Sequence, residues 1–282
     1  MIGFFANIFG YALNLIYSFV SNYGLAIIIF SVLLKILLVP LSIKQQKTMK
    51  KSTEIQKKVK EIQYKYEGNM EKINQETLNL YKEEKMNPFS GCFTAIIQII
   101  LLFSMFYLVR NPLTYMKKID SDVIDGYINE IKEELPENER NIAYPEIAVI
   151  KQKGAEDERV YINMAFLGLD LSNVPSQNFS NWTVYIIPVL YVLSSLLSMK
   201  ISTMTTSKKE EEKEENKEKT ELDAVEQANK NMMWFMPIMS VSISLIAPLG
   251  LALYWLVNNI LMILERLCIN KYLDIKEEKE NA

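Results

Sequence analysis

The sequence contains no histidine, which removes the commonest general base and metal ligand. Its two cysteines, Cys92 and Cys268, lie far apart at or inside apolar runs, so there is no disulfide framework, CxxC pair or zinc spacing. Its nine glycines form no phosphate-binding loop and no nucleophile elbow. These absences disfavour an enzyme, and neither a cofactor nor a metal is expected. Charge is also missing locally: 31 basic and 34 acidic residues crowd into the stretches between long apolar blocks. The net charge of −3 averages over that segregation and says little about partners. A spanning helix needs about 20 mostly apolar residues, and several blocks reach that length.

Residues 2–22 carry no charge, and Asn7, Asn14, Ser18 and Ser21 fall on one stripe of a 3.6-residue helix. No lysine or arginine precedes the apolar stretch, so it is a poor signal peptide. The expectation is an amphipathic helix lying along the membrane interface, polar stripe to water, with a first spanning helix as the alternative. Residues 23–43 form the first transmembrane segment, with Pro40 near its far end, where a lost backbone bond matters least. Lys44, Lys47, Lys50 and Lys51 follow with no acid among them, which puts that end in the cytoplasm and the N-terminus outside.

Residues 44–87 are charged but periodic. Ile55, Val59, Ile62 and Tyr66 recur at helical spacing, as do Met70, Ile73, Thr77, Leu80 and Tyr81, with a break at Glu67-Gly68-Asn69. A cytoplasmic helical hairpin is expected. The second span is 88–109. Residues 110–181 lie outside and hold eight basic and thirteen acidic residues, against eleven lysines and seven acids in the hairpin, an asymmetry that supports the orientation. Within that outer region, YPEIAVIKQKG and RVYINMAF are expected to pair as strands. The third span, 182–200, carries Trp182 and Tyr185 at its outer edge like an aromatic belt. A charged cytoplasmic loop (201–231) leads to spans at 232–247 and 250–268, joined by a tight outer turn, and to a cytoplasmic tail at 269–282.

Lys35 is the anomaly. It stands about twelve residues into its span and about nine before Lys44, roughly mid-membrane at 1.5 Å per residue. A lysine at that depth costs about 2.5–3.5 kcal/mol on insertion scales unless it snorkels or faces water. The five spans hold no Asp or Glu until Glu265, which sits beside Arg266 at the inner end of the last one. Glu265 is therefore expected to be a poor partner for Lys35. An uncompensated cation suits attraction of acidic groups from outside the protein better than a proton relay. Thr94 and Gln98 are four apart in the second span, Ser240 and Ser244 in the fourth, and Trp255, Asn258 and Asn259 share a face of the fifth. Helix–helix hydrogen bonding is the ordinary role of such residues, at roughly 0.6 kcal/mol a bond. Gln98 and the asparagines are costlier to hide, so a wet groove shared with Lys35 is expected. Met232, Met233, Met236 and Met239 offer adaptable packing, either to sliding partners or within the core.

At these residues the chain resembles a known family. KILLVPLSIKQQKTMKK is similar to the first conserved span of the YidC/Oxa/Alb-type membrane protein insertases. NPFSGCFTAIIQIILLFSMFYLV resembles their second span, FLGLDLSNVP the approach to the third, and PLGLALYWLVNNILMILER the last. The resemblance covers most of the chain in the expected order. It implies an all-α integral membrane protein: five transmembrane helices around a hydrophilic groove, with an N-terminal interfacial helix and a cytoplasmic helical hairpin. The groove is open to cytoplasm and lipid and closed outside. Lys35 would draw in the hydrophilic end of a substrate, with Thr94, Gln98, Ser240, Ser244, Trp255, Asn258 and Asn259 lining the groove. Lys44, Lys47, Lys50 and Lys51 on the hairpin would handle it. Implied partners are nascent membrane proteins and membrane lipids, with the Sec translocon and the ribosome as candidates and no nucleic-acid specificity. The implied location is a bacterial plasma membrane, N-terminus outside and C-terminus cytoplasmic. Lysine replaces the family's usual arginine at 35, Thr94 and Ile100 replace prolines, and Glu265 stands where glutamine is common. The chain looks like a short form, without the large periplasmic domain of Gram-negative members.

Two other readings stay open at this level. A small-solute or anion transporter using Lys35 as its site would call for a second charged site or inverted repeats. A non-catalytic assembly chaperone for membrane complexes is compatible with insertion.

Overall fold

The computed structural model describes residues 2–85, 90–206, 239 and 241–280. Helix α1 (Ile2–Val20) contains no charge and ends where Ser21 turns to φ 50°. Asn22 then caps the next helix, its Oδ1 accepting from Leu25 N at 3.0 Å. Helix α2 (Tyr23–Lys65) runs unbroken for 43 residues through Pro40. The first span and the first arm of the hairpin are thus one helix, and the border expected at 43/44 is not a break. Pro40 removes one backbone donor without ending the helix, as spanning helices tolerate.

The hairpin turns at Gly68, whose φ of +82° is open to glycine at little cost. Asn69 then caps α3 (Met70–Glu83) by accepting from Lys72 N at 3.0 Å. Ile55, Val59, Ile73 and Thr77 are buried between the arms. Lys51 and Lys58 both reach Glu84 at the end of the return arm. That contact holds the Glu84 carboxyl below its usual range, chiefly through the hydrogen bond from Lys58.

Helix α4 (Ser90–Arg110) is followed by a π-helical turn, Leu113–Lys117, which packs against α1. Gly10 makes that approach possible: a Cβ there would sit 1.8 Å from the Tyr115 carbonyl oxygen. Helix α5 (Ser121–Glu134) and helix α6 (Pro145–Lys153) pack on each other, burying Ile124, Ile131, Ile147, Val149 and Ile150. The strand pairing expected from YPEIAVIKQKG is incorrect, because Pro145 opens a helix at the position where its missing N–H is not needed. Glu146 in the first turn and Lys151 and Lys153 in the last complement the helix dipole. The strands that do form are shorter and lie later: β1 (Ala165–Phe166) runs antiparallel to β2 (Leu169–Asp170), with Phe166 opposite Leu169.

Helix α7 (Ile186–Thr206) follows a 3-10 turn at Trp182–Tyr185. Residues 241–246 are helical, and after the turn at Ala247 and Pro248 helix α8 (Leu249–Glu280) begins. Half of the expected fourth span lies outside the described residues, Met232, Met233 and Met236 among it. Among the described residues, four helices are long and apolar enough to cross a membrane: Ile2–Val20, Tyr23–Lys65, Trp182–Ile201 and Leu249–Leu273. The protein is a largely helical, multi-pass membrane protein.

The chain forms two compact units, Met1–Leu33 with Ser104–Leu264, and Leu34–Phe103 with Glu265–Ala282. In the first, the segment around β1 and β2 clamps two helix starts. Asn163 accepts from Tyr23 N at 3.0 Å and Asn22 donates to the Ala165 carbonyl at 2.6 Å, so the segment holds the start of α2. Leu249 N donates to the Asn173 carbonyl and Gly250 N to that of Leu171, which holds the start of α8. The two helices therefore begin at one level.

Candidate functional site

Lys35 Nζ lies 2.9 Å from Glu265 Oε2, with the two side chains 22% and 12% exposed. The expectation that Glu265 is too far toward the cytoplasm to serve as partner is overturned. It assumed a span ending at 268, whereas α8 continues to Glu280. Lys35 follows the start of α2 by twelve residues and Glu265 follows the start of α8 by sixteen, about 18 and 24 Å of helix axis. The lean of helical side chains toward their own N-terminus applies to both residues and leaves this offset unchanged. The lysine's flexible four-carbon stem closes the remaining gap. The signal that would have found the pair is the common starting level of α2 and α8, which sequence spacing alone does not supply.

The pair is incompletely satisfied. Glu265 Oε1 is buried and has no hydrogen-bond partner among the described residues. Chemically this is a carboxylate held by a point cation through one oxygen, with neither side chain fully buried. Such a pair can exchange one carboxylate for another. Among the described residues, no three His, Cys, Asp or Glu side chains gather as a metal site would need.

Of the other polar candidates in the spans, Asn258, Asn259 and Ser244 are bonded within the first unit. Asn259 donates to Ser194 Oγ at 3.1 Å, joining α8 to α7. Asn258 donates to the Tyr254 carbonyl one turn earlier, at 3.1 Å. Ser244 is buried and donates to the Val241 carbonyl at 2.7 Å. Trp255 is buried with its ring centroid 5.9 Å from that of Tyr191, and its Nε1 has no partner among the described residues. Thr94 and Gln98 sit one turn apart on α4. Ser240 lies outside the described residues. On the hairpin, Lys44 and Lys47 are exposed and Lys50 is half-buried. Lys51 donates to the Glu84 carbonyl at 2.6 Å, so it also ties the two arms together.

One carboxylate between α4 and α7 went unremarked in the sequence. Glu146 is buried and accepts from Leu113 N at 2.7 Å, Thr114 N at 3.0 Å and Thr114 Oγ1 at 2.6 Å. It thereby fastens α6 to the unpaired amides at the start of the π-helical turn. Burial pushes its carboxyl above the usual range, opposed by the Thr114 and Leu113 donors. Its place in the first turn of a helix gave a structural signal but none for this partner.

Comparison with known proteins bears on what these residues do. "Membrane protein insertase YidC" of Fusobacterium nucleatum is 26% identical over 262 residues, covering 93% of this chain and 92% of the relative. The protein of that name from Treponema denticola is 29% identical over 265 residues, 93% of this chain and 36% of its own length. That from Caldanaerobacter subterraneus subsp. tengcongensis is 44% identical over 102 residues, 36% of this chain and 50% of its own. The chain thus spans about a third to a half of the length of these last two relatives. Residues 15–278, nearly the whole sequence and both members of the Lys35–Glu265 pair, match the family described as 60Kd inner membrane protein, and the chain belongs to that family.

Proposed function

We propose that this protein inserts other proteins into the membrane and helps them fold there. The observation that carries the reading is Lys35, a cation deep in an apolar span of a chain whose relatives bear the name membrane protein insertase. Insertion is limited by moving a substrate's hydrophilic end through hydrocarbon, where each charge costs about 2.5–3.5 kcal/mol. A fixed cation with access to water lowers that barrier for an acidic end. The apolar segment behind it then partitions into lipid by its own hydrophobicity. No nucleotide and no covalent step is needed, so the protein acts as a catalyst only of transfer between phases.

In this reading five spans surround a groove that Lys35 shares with Gln98, Thr94, Trp255, Asn258, Asn259, Ser240 and Ser244. The hairpin lysines Lys44 and Lys47 receive the substrate from the cytoplasm, beside the Sec translocon or a ribosome. Helix α1 lies in the outer interface. Support for that comes from Lys118, whose Nζ sits 4.2 Å from the Tyr11 ring, and Lys117, 5.7 Å from that of Tyr17. Two ammonium groups along the second half of α1 belong in the headgroup layer, not in hydrocarbon. The N-terminus is outside and the C-terminus cytoplasmic. The transporter reading finds no support in relatives named as insertases.

The test is genetic. In a strain depleted of its own insertase, the wild-type chain should restore insertion of single-span substrates with acidic translocated ends, and Lys35→Ala should restore it poorly. Full activity of the Lys35→Ala protein at equal abundance would remove Lys35 from the mechanism.

A further inference from the structure

We propose that Glu265 is an internal competitor for the cation that receives substrates: its carboxylate occupies Lys35 at rest, and the acidic end of an arriving chain must displace it. The inference rests on the insertase reading and adds to it a determinant of substrate choice. A free cation at Lys35 would attract any nearby acid. The observed Lys35 is already engaged at 2.9 Å, so attraction becomes exchange.

Three features make exchange feasible. Glu265 is held through Oε2 alone, while Oε1 is buried and has no partner among the described residues, so the resting carboxylate is only half satisfied. The ammonium of lysine is a point charge without the planar fork that locks a carboxylate in two places. Both side chains keep some exposure, 22% and 12%, so the pair is not sealed from an incoming group. Replacement of one carboxylate by another leaves Lys35 paired throughout; the cost falls on the displaced Glu265 carboxylate, which must find water or another donor, and that cost is what an acidic end has to overcome.

The consequence is selectivity. A substrate end with an acidic group can take Lys35 from Glu265, and an end without one leaves the resting pair in place and gains nothing from the cation. Glu265 then sets the threshold that an acidic end must exceed.

The experiment uses the purified full chain in liposomes and two single-span substrates that differ only in an acidic or uncharged translocated end. Glu265→Gln keeps the side chain's size and removes its charge. The acidic-ended substrate should insert roughly two- to a hundredfold faster into Glu265→Gln liposomes, the range expected for coupling between charges in contact. The uncharged-ended substrate should be unaffected. A fall in both rates would make Glu265 a structural support, and an equal rise in both would make it a general obstruction; either overturns the proposal. If the glutamine variant does not accumulate, Glu265→Asp answers the same question, because it withdraws the carboxylate by one methylene. A rise for the acidic end alone supports competition, and a loss for both overturns it. If wild type inserts both substrates and Glu265→Gln changes neither rate, competition fails while the insertase reading stands. If wild type inserts neither, both fall.

Discussion

At the scale of residues, the protein's central feature is a charge pair whose worth lies in exchange more than in stability. Removing one member of a buried pair strands the other, at about 3–5 kcal/mol where burial is complete. Lys35 keeps about a fifth of its side chain exposed, so the cost here is smaller, on the order of 2 kcal/mol. Replacing both members by apolar residues of similar size leaves nothing stranded. The double variant Lys35→Met/Glu265→Leu should therefore resist denaturation in detergent better than Lys35→Met or Glu265→Leu alone. A double variant less stable than both singles would mean that the pair itself, and not the avoidance of an orphan charge, holds α2 to α8.

At the scale of elements, two contacts made by residues 110–181 make distinct predictions. Gly10 on α1 meets the Tyr115 carbonyl with no room for a Cβ. Gly10→Leu should cost about 1–3 kcal/mol through overpacking and release α1 from the π-helical turn, seen as faster hydrogen exchange over both segments. Unchanged exchange would contradict the close approach. The second contact joins α5 to the loop after α6: Tyr127 donates to Asp157 at 2.6 Å, and Arg159 Nη2 lies 2.7 Å from the same carboxylate. Arg159, with help from Tyr127, holds the Asp157 carboxyl well below its usual range. A carboxyl depressed on folding stabilises at pH above its unfolded value, near 3.9, and that contribution is lost as pH falls toward the folded value. The α5–α6 region should thus lose protection below about pH 4, and Asp157→Asn should flatten that dependence. A pH profile identical in the two proteins would remove Asp157 as its source.

The elements also show what the sequence made legible. Local chemistry was sufficient where one residue decides the outcome: Gly68 and Asn69 mark the hairpin turn, and the periodic Ile55, Val59 and Ile73 mark its buried face. It failed where a local signal had two meanings. The apolar residues of 145–153 suit a strand or a helix, and Pro145 with its flanking charges decides for helix. It also failed where the deciding partner is remote. Glu146 with the amides at Leu113 and Thr114, and Glu265 with Lys35, are contacts between segments whose relative depth no spacing rule conveys.

At the scale of the whole molecule, charge segregation that averages to −3 is the record of a chain threaded repeatedly through hydrocarbon. The lysine-rich hairpin and the acid-rich outer region predict opposite sides. In a background with Cys92→Ser and Cys268→Ser, a cysteine replacing Ser121 should react with an impermeant maleimide in intact cells. One replacing Ser52 should react only after permeabilisation. The reverse pattern would invert the proposed topology. Insertion itself is tested most directly with purified protein in liposomes and a labelled single-span substrate with an acidic end. The account predicts that wild-type protein brings the substrate to a protease-protected, membrane-spanning state without driving solute flux, and that Lys35→Ala does so several-fold more slowly. Equal insertion with and without the protein, or gradient-driven solute flux in place of insertion, would contradict it.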